Sequence, residues 1–387
     1  MIHRRKNILQ TLAVAAALGS LTSAPLAGTF VYVSNADDGD ISSYELITTP
    51  KAQLKPGARV PAAKLVMPMA ASPDGRFLHA AARAKPFAVY SYRIEPKSGS
   101  LQWIGATPLP DSMVSISTDQ TGQWLLGASY GGNSLSMNRI AANGRVDVEP
   151  AQFFQSGGVK PHSIKTDKAN GIVYVPHLAT DEIKGYRFNA KSNTPIAEQG
   201  SSTPVKKGMG PRHFVVSPDD RFLYALTELT GRVIAYQRDA ATGALTEVQD
   251  ISTLAENSKL LPGQPRVPVG TPGAIPFDET TAIWCADIQI TPNGRFLYTS
   301  ERTVGTLSQF EVDARTGKLK LLGQISTEKQ PRGFAIDPQS QYLVASGEKS
   351  STISLYAIDG SNGTLSLVEQ VPVGKGANWV TIVRTEQ

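Results

Sequence analysis

The sequence predicts an all-β fold, a single seven-bladed β-propeller whose blades are four-stranded antiparallel sheets. Three observations predict it. A strand–turn–strand pattern recurs six times along the 387 residues, two turn markers keep the same spacing from copy to copy, and each chain end holds part of a seventh copy. Repeats of four short strands with a period of roughly 40 to 50 residues are typical of propeller blades.

One copy is the segment GPRHFVVSPDDRFLYALTELTG, residues 210–231. Two alternating apolar runs flank a polar turn at Asp219, as expected for antiparallel strands joined by a tight turn. Arg212 and His213 open the first strand and Glu228 follows the second, so a hairpin places all three at one edge of the sheet. The other internal copies begin at Met69, Ile116, His162, Ala286 and Gly333.

Two markers indicate that the copies share one period. The first is a turn residue that recurs after 74 and then 46 positions, at Ser217, Thr291 and Asp337. The second is a D-x-x-x-G-x-L motif with the same two intervals, at Asp239, Asp313 and Asp359. Both are interpreted as turn chemistry, because they lack the number of carboxylates that a calcium loop needs.

The two ends of the chain are predicted to complete the ring. Residues 30–46, FVYVSNADDGDISSYEL, lack the first strand of a copy, and residues 378–385, NWVTIVRT, resemble that strand. Together they predict a seventh blade that closes the propeller and leaves no open sheet edge. We predict one propeller domain over residues 28–387 and no second domain.

The first 27 residues are predicted to be a secretory signal peptide. Basic residues precede an apolar stretch, and small residues at Ala24 and Ala27 suit cleavage, with Ala27 preferred. The mature protein is then expected in the periplasm; a retained N-terminal anchor is the alternative. Removing residues 1–27 lowers the formal net charge from +5 to +2, so no nucleic-acid partner and no stable membrane association are expected.

One segment departs from the repeat. Residues 254–280 carry five prolines and three glycines and account for most of the 74-residue interval. They lie between the last strand of one predicted blade and the first strand of the next. We predict a rim loop that acts as a lid or wall, since long ordered loops are usually functional. A surface loop without a functional role is the alternative.

A propeller brings residues from all its blades to one mouth of the central channel. The innermost strand of each blade begins on the same face as the turn between its second and third strands. Strand starts contribute His162, Arg212, His213, Asp287, Arg332 and Trp379. Second turns contribute Asn35, Arg83, Tyr130, His177, Glu228, Arg302, Glu348 and Lys349. Only 18% of the chain is charged, so this concentration of arginine, histidine and carboxylate predicts a site.

Such a mouth suits a polar small molecule that carries or develops negative charge. Arginines stabilise a carboxylate or an oxyanion, and a histidine or glutamate can take a proton from water. Structural roles are the alternatives for single residues: any one histidine can be a hydrogen-bond partner, Asp287 and Arg332 can form an ion pair, and Trp379 can be a packing wall. No metal and no cofactor are expected; a metal held by the three histidines is the alternative, but these come from different blades with no local ligand pair. The single cysteine, Cys285, is interpreted as a packed apolar residue, with a catalytic thiol as the alternative.

Seven segments in order along the chain resemble the seven-bladed lactonase family, which contains bacterial propeller-type 6-phosphogluconolactonases and fungal 3-carboxy-cis,cis-muconate lactonizing enzymes. The segments are PHS (161–163), GPRH (210–213), ADIQITPNGRFLY (286–298), ERT (301–303), QPRGF (330–334), GEKS (347–350) and NWV (378–380). The resemblance implies a catalytic quartet of His162, Arg212, Glu228 and Arg302. We predict that the substrate also contacts His213, His177, Asp287, Arg332 and Trp379.

The resemblance also implies hydrolysis of a sugar lactone, which is the expected small-molecule partner. A periplasmic member is expected to open an unphosphorylated aldonolactone, with glucono-1,5-lactone favoured, because phosphorylated sugars are scarce outside the cytoplasm. Three alternatives stay open: a 6-phosphogluconolactonase, a cycloisomerase of the carboxymuconate type, and a non-catalytic propeller that binds a protein or a polymer.

Overall fold

The computed structural model describes residues 28–266 and 277–385, so the predicted signal peptide, residues 1–27, lies outside the described residues. Every regular element in these two ranges is a β-strand, and the 28 strands form seven antiparallel sheets of four. Neighbouring sheets contact each other mainly through their innermost strands, which closes a ring. The predicted seven-bladed propeller is confirmed. The described residues contain no helix of the length and apolarity that a membrane crossing needs.

The strands are numbered in chain order and the blades from 1 to 7, starting with the blade that holds both chain ends. From blade 1 to blade 7, the innermost strands are β28 (Ala377–Arg384), β4 (Val66–Ala71), β8 (Met113–Thr118), β12 (Lys165–Thr166), β16 (Pro211–Val216), β20 (Cys285–Ile290) and β24 (Pro331–Ile336). The second strands are β1 (Thr29–Asn35), β5 (Phe77–Ala82), β9 (Trp124–Ser129), β13 (Ile172–His177), β17 (Phe222–Thr227), β21 (Phe296–Glu301) and β25 (Tyr342–Gly347).

The third and outermost strands complete each blade. The third strands are β2 (Asp40–Ile47), β6 (Ala88–Ile94), β10 (Ser134–Arg139), β14 (Glu182–Phe188), β18 (Arg232–Arg238), β22 (Thr306–Val312) and β26 (Thr352–Ile358). The outermost strands are β3 (Gln53–Pro61), β7 (Leu101–Pro108), β11 (Gln152–Gln155), β15 (Ile196–Pro204), β19 (Leu245–Ser252), β23 (Leu319–Ser326) and β27 (Leu365–Pro372).

Blade 1 is closed by strands from both chain ends, as predicted. Strand β28 pairs with β1 in antiparallel register, with Phe30 opposite Val383 and Ser34 opposite Trp379. This pairing gives the N-terminal strand β1 an inner neighbour and completes blade 1 as a four-stranded sheet like the other six.

The hydrophobic core lies between adjacent blades. In one cluster, Leu226 and Val233 of blade 5 pack with Leu297 and Phe310 of blade 6, and all four side chains are fully buried. The outermost strands are far more exposed, and β3 is almost entirely so. The alternation expected for the second strand of blade 5 is not found, because β17 (FLYALT) is buried on both faces along its whole length.

The polar residues between the first and second strands of each blade form tight turns, as predicted. In blades 2, 5 and 6 the last residue of this turn has a left-handed backbone conformation. These residues are Gly75, Asp220 and Gly294, with φ of 68°, 63° and 73°. In blade 5, the Ser217 hydroxyl accepts a hydrogen bond from the backbone N–H of Phe222 at 2.9 Å. These turns lie on the face of the propeller opposite the predicted mouth.

All seven blades carry a one-residue irregularity at the mouth end of the innermost strand. In blade 5, Pro211 lies opposite Thr227 and His213 opposite Leu226, which leaves Arg212 as an extra residue. Blades 1, 2, 3, 6 and 7 show the same one-residue shift. In blade 4, the bridge between Pro161 and His177 and the β12–β13 pairing differ by one residue in the same way. A β-bulge re-aims the side chains beside it, and here it directs them into the mouth.

Candidate active site

The candidate site lies at the mouth, where the bulges meet the first residues after the second strands. Glu228 and Arg302 occupy equivalent positions, since the N–H of each donates to a carbonyl just before the innermost strand of its own blade, at 2.8 and 3.1 Å. Arg212 and His162 come from the irregular segments of blades 5 and 4. The structure brings these four residues together, with exposed fractions of 1–5%.

Glu228 is the centre of the cluster. Its Oε2 accepts a 2.6 Å hydrogen bond from Arg212 Nε, and it lies 3.4 Å from Arg302 Nη2. The Nε2 atom of His162 is 3.8 Å from the same oxygen, which is longer than a direct hydrogen bond. One buried carboxylate thus faces two guanidinium groups and one imidazole.

Backbone carbonyls fix the two arginines. Arg302 donates from Nε to the Trp284 carbonyl at 3.1 Å and from Nη2 to the Cys285 carbonyl at 3.2 Å. Arg212 donates from Nη1 to the Ala286 carbonyl. Within the described residues, no hydrogen bond engages Arg212 Nη2 or Arg302 Nη1. Each arginine therefore keeps a donor for a ligand while the rest of its guanidinium is held.

A string of rings crosses the mouth beside this cluster. The centroids of His162 and His213 are 5.5 Å apart, Tyr130 lies 5.3 Å from His162, and Trp379 lies 5.8 Å from His213. His213 Nδ1 and Asp287 Oδ1 share a 2.9 Å hydrogen bond. The predicted residues His213, Asp287 and Trp379 thus lie next to the quartet.

Arg332 pairs with Glu348, at 3.4 Å, and Asp287 pairs with His213. The alternative of an Asp287–Arg332 ion pair is therefore wrong. The physical reason is that other groups already engage the Asp287 carboxylate: its Oδ1 contacts His213 Nδ1 and the Ile288 N–H at 2.9 Å each, and its Oδ2 accepts from the Phe334 N–H at 3.4 Å. The Arg332 Nε atom is buried without a hydrogen-bond partner among the described residues.

His177 is not brought to the cluster. It is the last residue of β13, and its ring lies beside Gly158 and Glu182. The residue equivalent to Glu228 and Arg302 is Leu178, whose N–H makes the corresponding hydrogen bond to Lys160. Side chains alternate along a strand, so a position one residue earlier points away from the mouth. Placing His177 at the mouth was wrong by this one residue.

The electrostatics of the mouth are dominated by buried positive charge. Burial, with Glu228 opposing it and Arg212 adding to it, leaves the pKa of Arg302 well below its usual value. Burial, together with the charges of Arg332 and Arg212, lowers the pKa of Arg83 to about 10. Burial and the nearby Arg212 also hold the pKa of His162 well below 6.5, so its imidazole is neutral at pH 7. A mouth of this kind favours a ligand that carries or develops negative charge.

Two further predictions concern Cys285 and a bound metal ion. Cys285 is completely buried, and burial raises the pKa of its thiol, which agrees with a packing role. Among residues 28–266 and 277–385, no group of three or more His, Cys, Asp or Glu side chains is placed to hold a metal ion.

Sequence reasoning missed Arg266, Trp284 and Lys160. The Arg266 guanidinium carbon is 3.5 Å from the centre of the Trp284 ring, and the Arg266 carbonyl accepts from Lys160 Nζ at 3.0 Å. Arg266 is the one arginine of the 254–280 loop, and Trp284 directly precedes β20, so both could have been noticed. Residues 267–276 of that loop lie outside the described residues, so the lid interpretation stays a prediction.

Comparison with known proteins agrees with this geometry. The family model described as Lactonase, 7-bladed beta-propeller, matches residues 19–382. The 6-phosphogluconolactonase of Pectobacterium carotovorum subsp. carotovorum is 38% identical over 308 residues, which is 79% of this chain and 84% of that protein. The 6-phosphogluconolactonase of Serratia proteamaculans is 36% identical over 354 residues, 91% of this chain and 98% of that protein.

A solved structure shows the same fold. The periplasmic gluconolactonase of Pseudomonas aeruginosa superposes with a TM-score of 0.76 at 22% identity, over 92% of this chain and 99% of that chain. The family model and the two 6-phosphogluconolactonases place the chain in the lactone-hydrolysing class of enzymes. The chain belongs to the seven-bladed β-propeller lactonase family. The predicted family and the predicted enzyme class are therefore confirmed.

Proposed function

We propose that the protein opens a six-membered sugar lactone to the aldonic acid at the mouth built around Glu228. The observation that carries this proposal is the shared carboxylate oxygen, 2.6 Å from Arg212 Nε, 3.4 Å from Arg302 Nη2 and 3.8 Å from His162 Nε2. The free donors of the two arginines can stabilise the negative oxygen that forms when water attacks an ester carbonyl.

In the proposed reaction, a water molecule on the open side of the mouth donates hydrogen bonds to both His162 Nε2 and Glu228 Oε2. Its oxygen bonds to the lactone carbonyl carbon while its proton passes to His162, whose neutral imidazole can accept it. The bond from that carbon to the ring oxygen then breaks, and His162 returns the proton to the ring oxygen. Arg212 Nη2 and Arg302 Nη1 donate to the carbonyl oxygen throughout. Glu228 orients the water and balances the charge that develops on His162.

Glu228 as the proton acceptor is the alternative assignment within this mechanism. Its Oε2 already accepts a hydrogen bond from Arg212 Nε and lies 3.4 Å from Arg302 Nη2, so these contacts compete with a proton for that oxygen. The two assignments differ in outcome. With His162 as the base, His162→Ala loses more activity than Glu228→Gln, and the reverse holds with Glu228 as the base.

We propose glucono-1,5-lactone as the substrate and the periplasm as the compartment. The support is the N-terminal segment, in which a basic start, an apolar stretch and Ala27 form a secretory signal. A periplasmic enzyme meets unphosphorylated sugar acids and their lactones. Fractionation of cells that express the full chain should place it in the periplasm, with an intact mass that begins after Ala27. Exported protein that still begins at Met1 would contradict the signal assignment.

A second candidate substrate is 6-phosphoglucono-1,5-lactone, and two observations favour it. The relatives at 36–38% identity are 6-phosphogluconolactonases. The mouth also holds more cations than the quartet needs. Among the described residues, Arg83 donates only to the Ser112 hydroxyl and the Met67 sulfur, and the buried Arg332 Nε has no partner. Such cations suit a phosphate.

A direct assay separates the candidates. Both lactones are supplied to the purified mature protein, acid release is followed at constant pH, and spontaneous hydrolysis is subtracted. We expect a higher kcat/KM for glucono-1,5-lactone. A preference for the phosphorylated lactone of tenfold or more would instead establish the second candidate. Turnover of neither lactone, by a protein that unfolds cooperatively, would contradict sugar-lactone hydrolysis.

A further inference from the structure

Arg266 connects the 254–280 loop to two sides of the mouth. Its carbonyl accepts hydrogen bonds from Tyr130 Oη at 3.1 Å and from Lys160 Nζ at 3.0 Å, which belong to blades 3 and 4. Its side chain extends toward blade 6, where its guanidinium carbon lies 3.5 Å from the centre of the Trp284 ring. The residue therefore bridges the mouth above the quartet.

Trp284 lies between two guanidinium groups. The Arg302 guanidinium carbon is 3.7 Å from the same ring centre that Arg266 contacts at 3.5 Å. Both distances are contact distances to the middle of the ring, so the two groups would overlap if they shared one face. They therefore occupy opposite faces, and Trp284 is clamped between a loop residue and a residue of the proposed catalytic quartet.

Further contacts hold the outer member of this stack. The Phe277 ring lies 4.5 Å from the Arg266 guanidinium carbon and 4.8 Å from the Trp284 ring. Arg266 Nη2 also lies 3.3 Å from Glu279 Oε1, and Glu279 Oε2 accepts from Lys349 Nζ at 2.6 Å. Arg266 is thus fixed from the Phe277 side as well as from the Tyr130 side.

The stack ends on the reacting groups. Arg302 donates from Nε to the carbonyl of Trp284, and its guanidinium carbon lies 3.7 Å from the centre of the ring of the same residue. On the other side of the bridge, the Tyr130 ring packs edge-on against His162 at 5.3 Å. A change at Arg266 can therefore reach Arg302 without Arg266 touching the substrate.

We propose that Arg266 is a positioning residue, which holds Arg302 in its oxyanion-stabilising orientation through the Trp284 ring. This inference rests on the proposed lactone hydrolysis. A flat guanidinium can cover an indole face, whereas a lysine ammonium or a glutamine amide cannot fill the same plane. Small displacements of a group that acts only in the transition state reduce kcat more than they change KM.

The test uses Arg266→Gln and Arg266→Lys in the full mature protein. We expect kcat to fall by about 10- to 100-fold in both, with KM within about threefold of the parent. Arg221→Gln is the matched control, because Arg221 stacks on Phe222 at 5.0 Å on the opposite face of the propeller and should leave kcat unchanged. A rise in KM that Arg266→Lys restores would overturn the proposal and make Arg266 a charge contact for the substrate.

A double-variant comparison tests the route through Arg302. We expect Arg302→Lys to keep a measurable rate, because it retains a positive charge. In that background, adding Arg266→Gln should cost less than about threefold in kcat, because residues that act as a unit are not additive. An additive loss would overturn the route.

A readout without activity keeps the inference separate from the proposed reaction. The Arg302 Nε–H resonance in ¹H–¹⁵N spectra, assigned by Arg302→Lys, should shift in Arg266→Gln and stay fixed in Arg221→Gln. If neither lactone is turned over but this resonance shifts, the proposed substrate fails and the coupling stands. If the resonance does not shift in Arg266→Gln, the proposed coupling between Arg266 and Arg302 is wrong, whatever the activity.

Discussion

Arg238 and Arg302 are both buried guanidinium groups that contact carboxylates, but only one of them is fully engaged. Arg238 lies between blades 4 and 5 on the face opposite the mouth. Its Nε donates to Tyr174 Oη at 3.1 Å, its Nη2 to Asp167 Oδ2 at 2.6 Å, and its Nη1 lies 2.7 Å from Asp220 Oδ1. Burial lowers the pKa of Arg238, but Tyr174, Asp220 and Asp167 outweigh it and raise that pKa above its usual value.

The mouth has the opposite balance. Arg302 and Arg212 share the single carboxylate of Glu228, and burial lowers the pKa of both arginines. The Arg238 cluster therefore compensates for its own burial and fastens two blades together. The mouth cluster leaves positive charge and hydrogen-bond donors without compensation, which a substrate anion or oxyanion supplies. Residues of the Arg238 cluster are therefore expected to stabilise the propeller, and residues of the mouth cluster to serve the reaction.

The largest effect is expected from the quartet. Arg302→Ala should lower kcat by about 10²-fold or more, because an oxyanion donor is lost. His162→Ala should lower it by about 10² to 10⁴-fold if His162 is the general base. The melting temperature of Arg302→Ala should be unchanged or higher, since a poorly compensated buried charge is removed. Background-corrected rates and thermal melts check both statements.

Glu228→Gln completes that series, because it removes the charge at the centre of the cluster and keeps the shape. Near-parental turnover in all three folded variants would contradict the assignment of the quartet. A strong loss in Arg302→Ala alone would mean that the mouth binds the substrate while solvent performs the chemistry.

Arg238→Met tests whether the Arg238 cluster stabilises the propeller without contributing to the reaction. It leaves Asp167 buried without its ion-pair partner, and breaking a buried pair in this way typically costs about 3–5 kcal/mol. We expect that loss in the free energy of unfolding, measured by denaturant titration, with an unchanged kcat per folded molecule. A variant as stable as the parent would show that the backbone donors of Gly171 and Ile172 already satisfy Asp167.

The sequence could predict the ring, its closure and most of the mouth, because these depend on periodicity. Once blades of about 46 residues are recognised, the mouth positions follow from geometry, and Arg212, Glu228 and Arg302 are found without any contact information. The chain-end blade followed from one incomplete copy and one matching strand. These features are encoded locally in each repeat.

Other features of the site depend on atomic register and on side-chain reach. The one-residue shift that makes Arg212 an extra residue leaves no mark in the pattern of apolar residues. The same limit explains the error at His177, since a repeat of about 46 residues does not determine which residue of a turn points into the mouth. The Arg266–Trp284–Arg302 stack joins a non-repeating loop to blade 6, and no periodicity could predict that contact.

Acid should distinguish the two clusters, because only the mouth contains histidines. Burial and Arg212 hold the pKa values of His162 and His213 well below 6.5. His162 must be neutral to accept a proton, so the acid limb of kcat/KM should lie below pH 6.5 and fall about tenfold per pH unit beyond that pKa. An acid limb at or above pH 7 would contradict His162 as the base.

The same histidines link stability to pH. Their folded pKa values lie below the unfolded value of about 6.5, so the unfolded chain binds protons first as the pH falls. Stability is therefore complete above pH 6.5 and declines below it, by about 1.4 kcal/mol per pH unit for each such histidine until its folded pKa is reached. Melts of the parent and of His213→Asn between pH 7 and pH 5 should differ in slope, and parallel slopes would contradict burial of neutral His213.

The smallest expected effect is stabilisation by the product. If the mouth lacks negative charge, a sugar acid such as gluconate should bind it and raise the melting temperature. The Arg238 cluster should not bind the anion, because Tyr174, Asp167 and Asp220 already pair with its guanidinium group. At a gluconate concentration of about ten times Kd, linkage predicts about 1.4 kcal/mol of added stability. Arg302→Ala should lose this increment and Arg238→Met should keep it. Sodium chloride at equal ionic strength is the control, since general screening acts on both variants alike. An equal gain in both variants would mean that the anion acts away from the mouth, and the contrast between the two clusters would then concern stability alone.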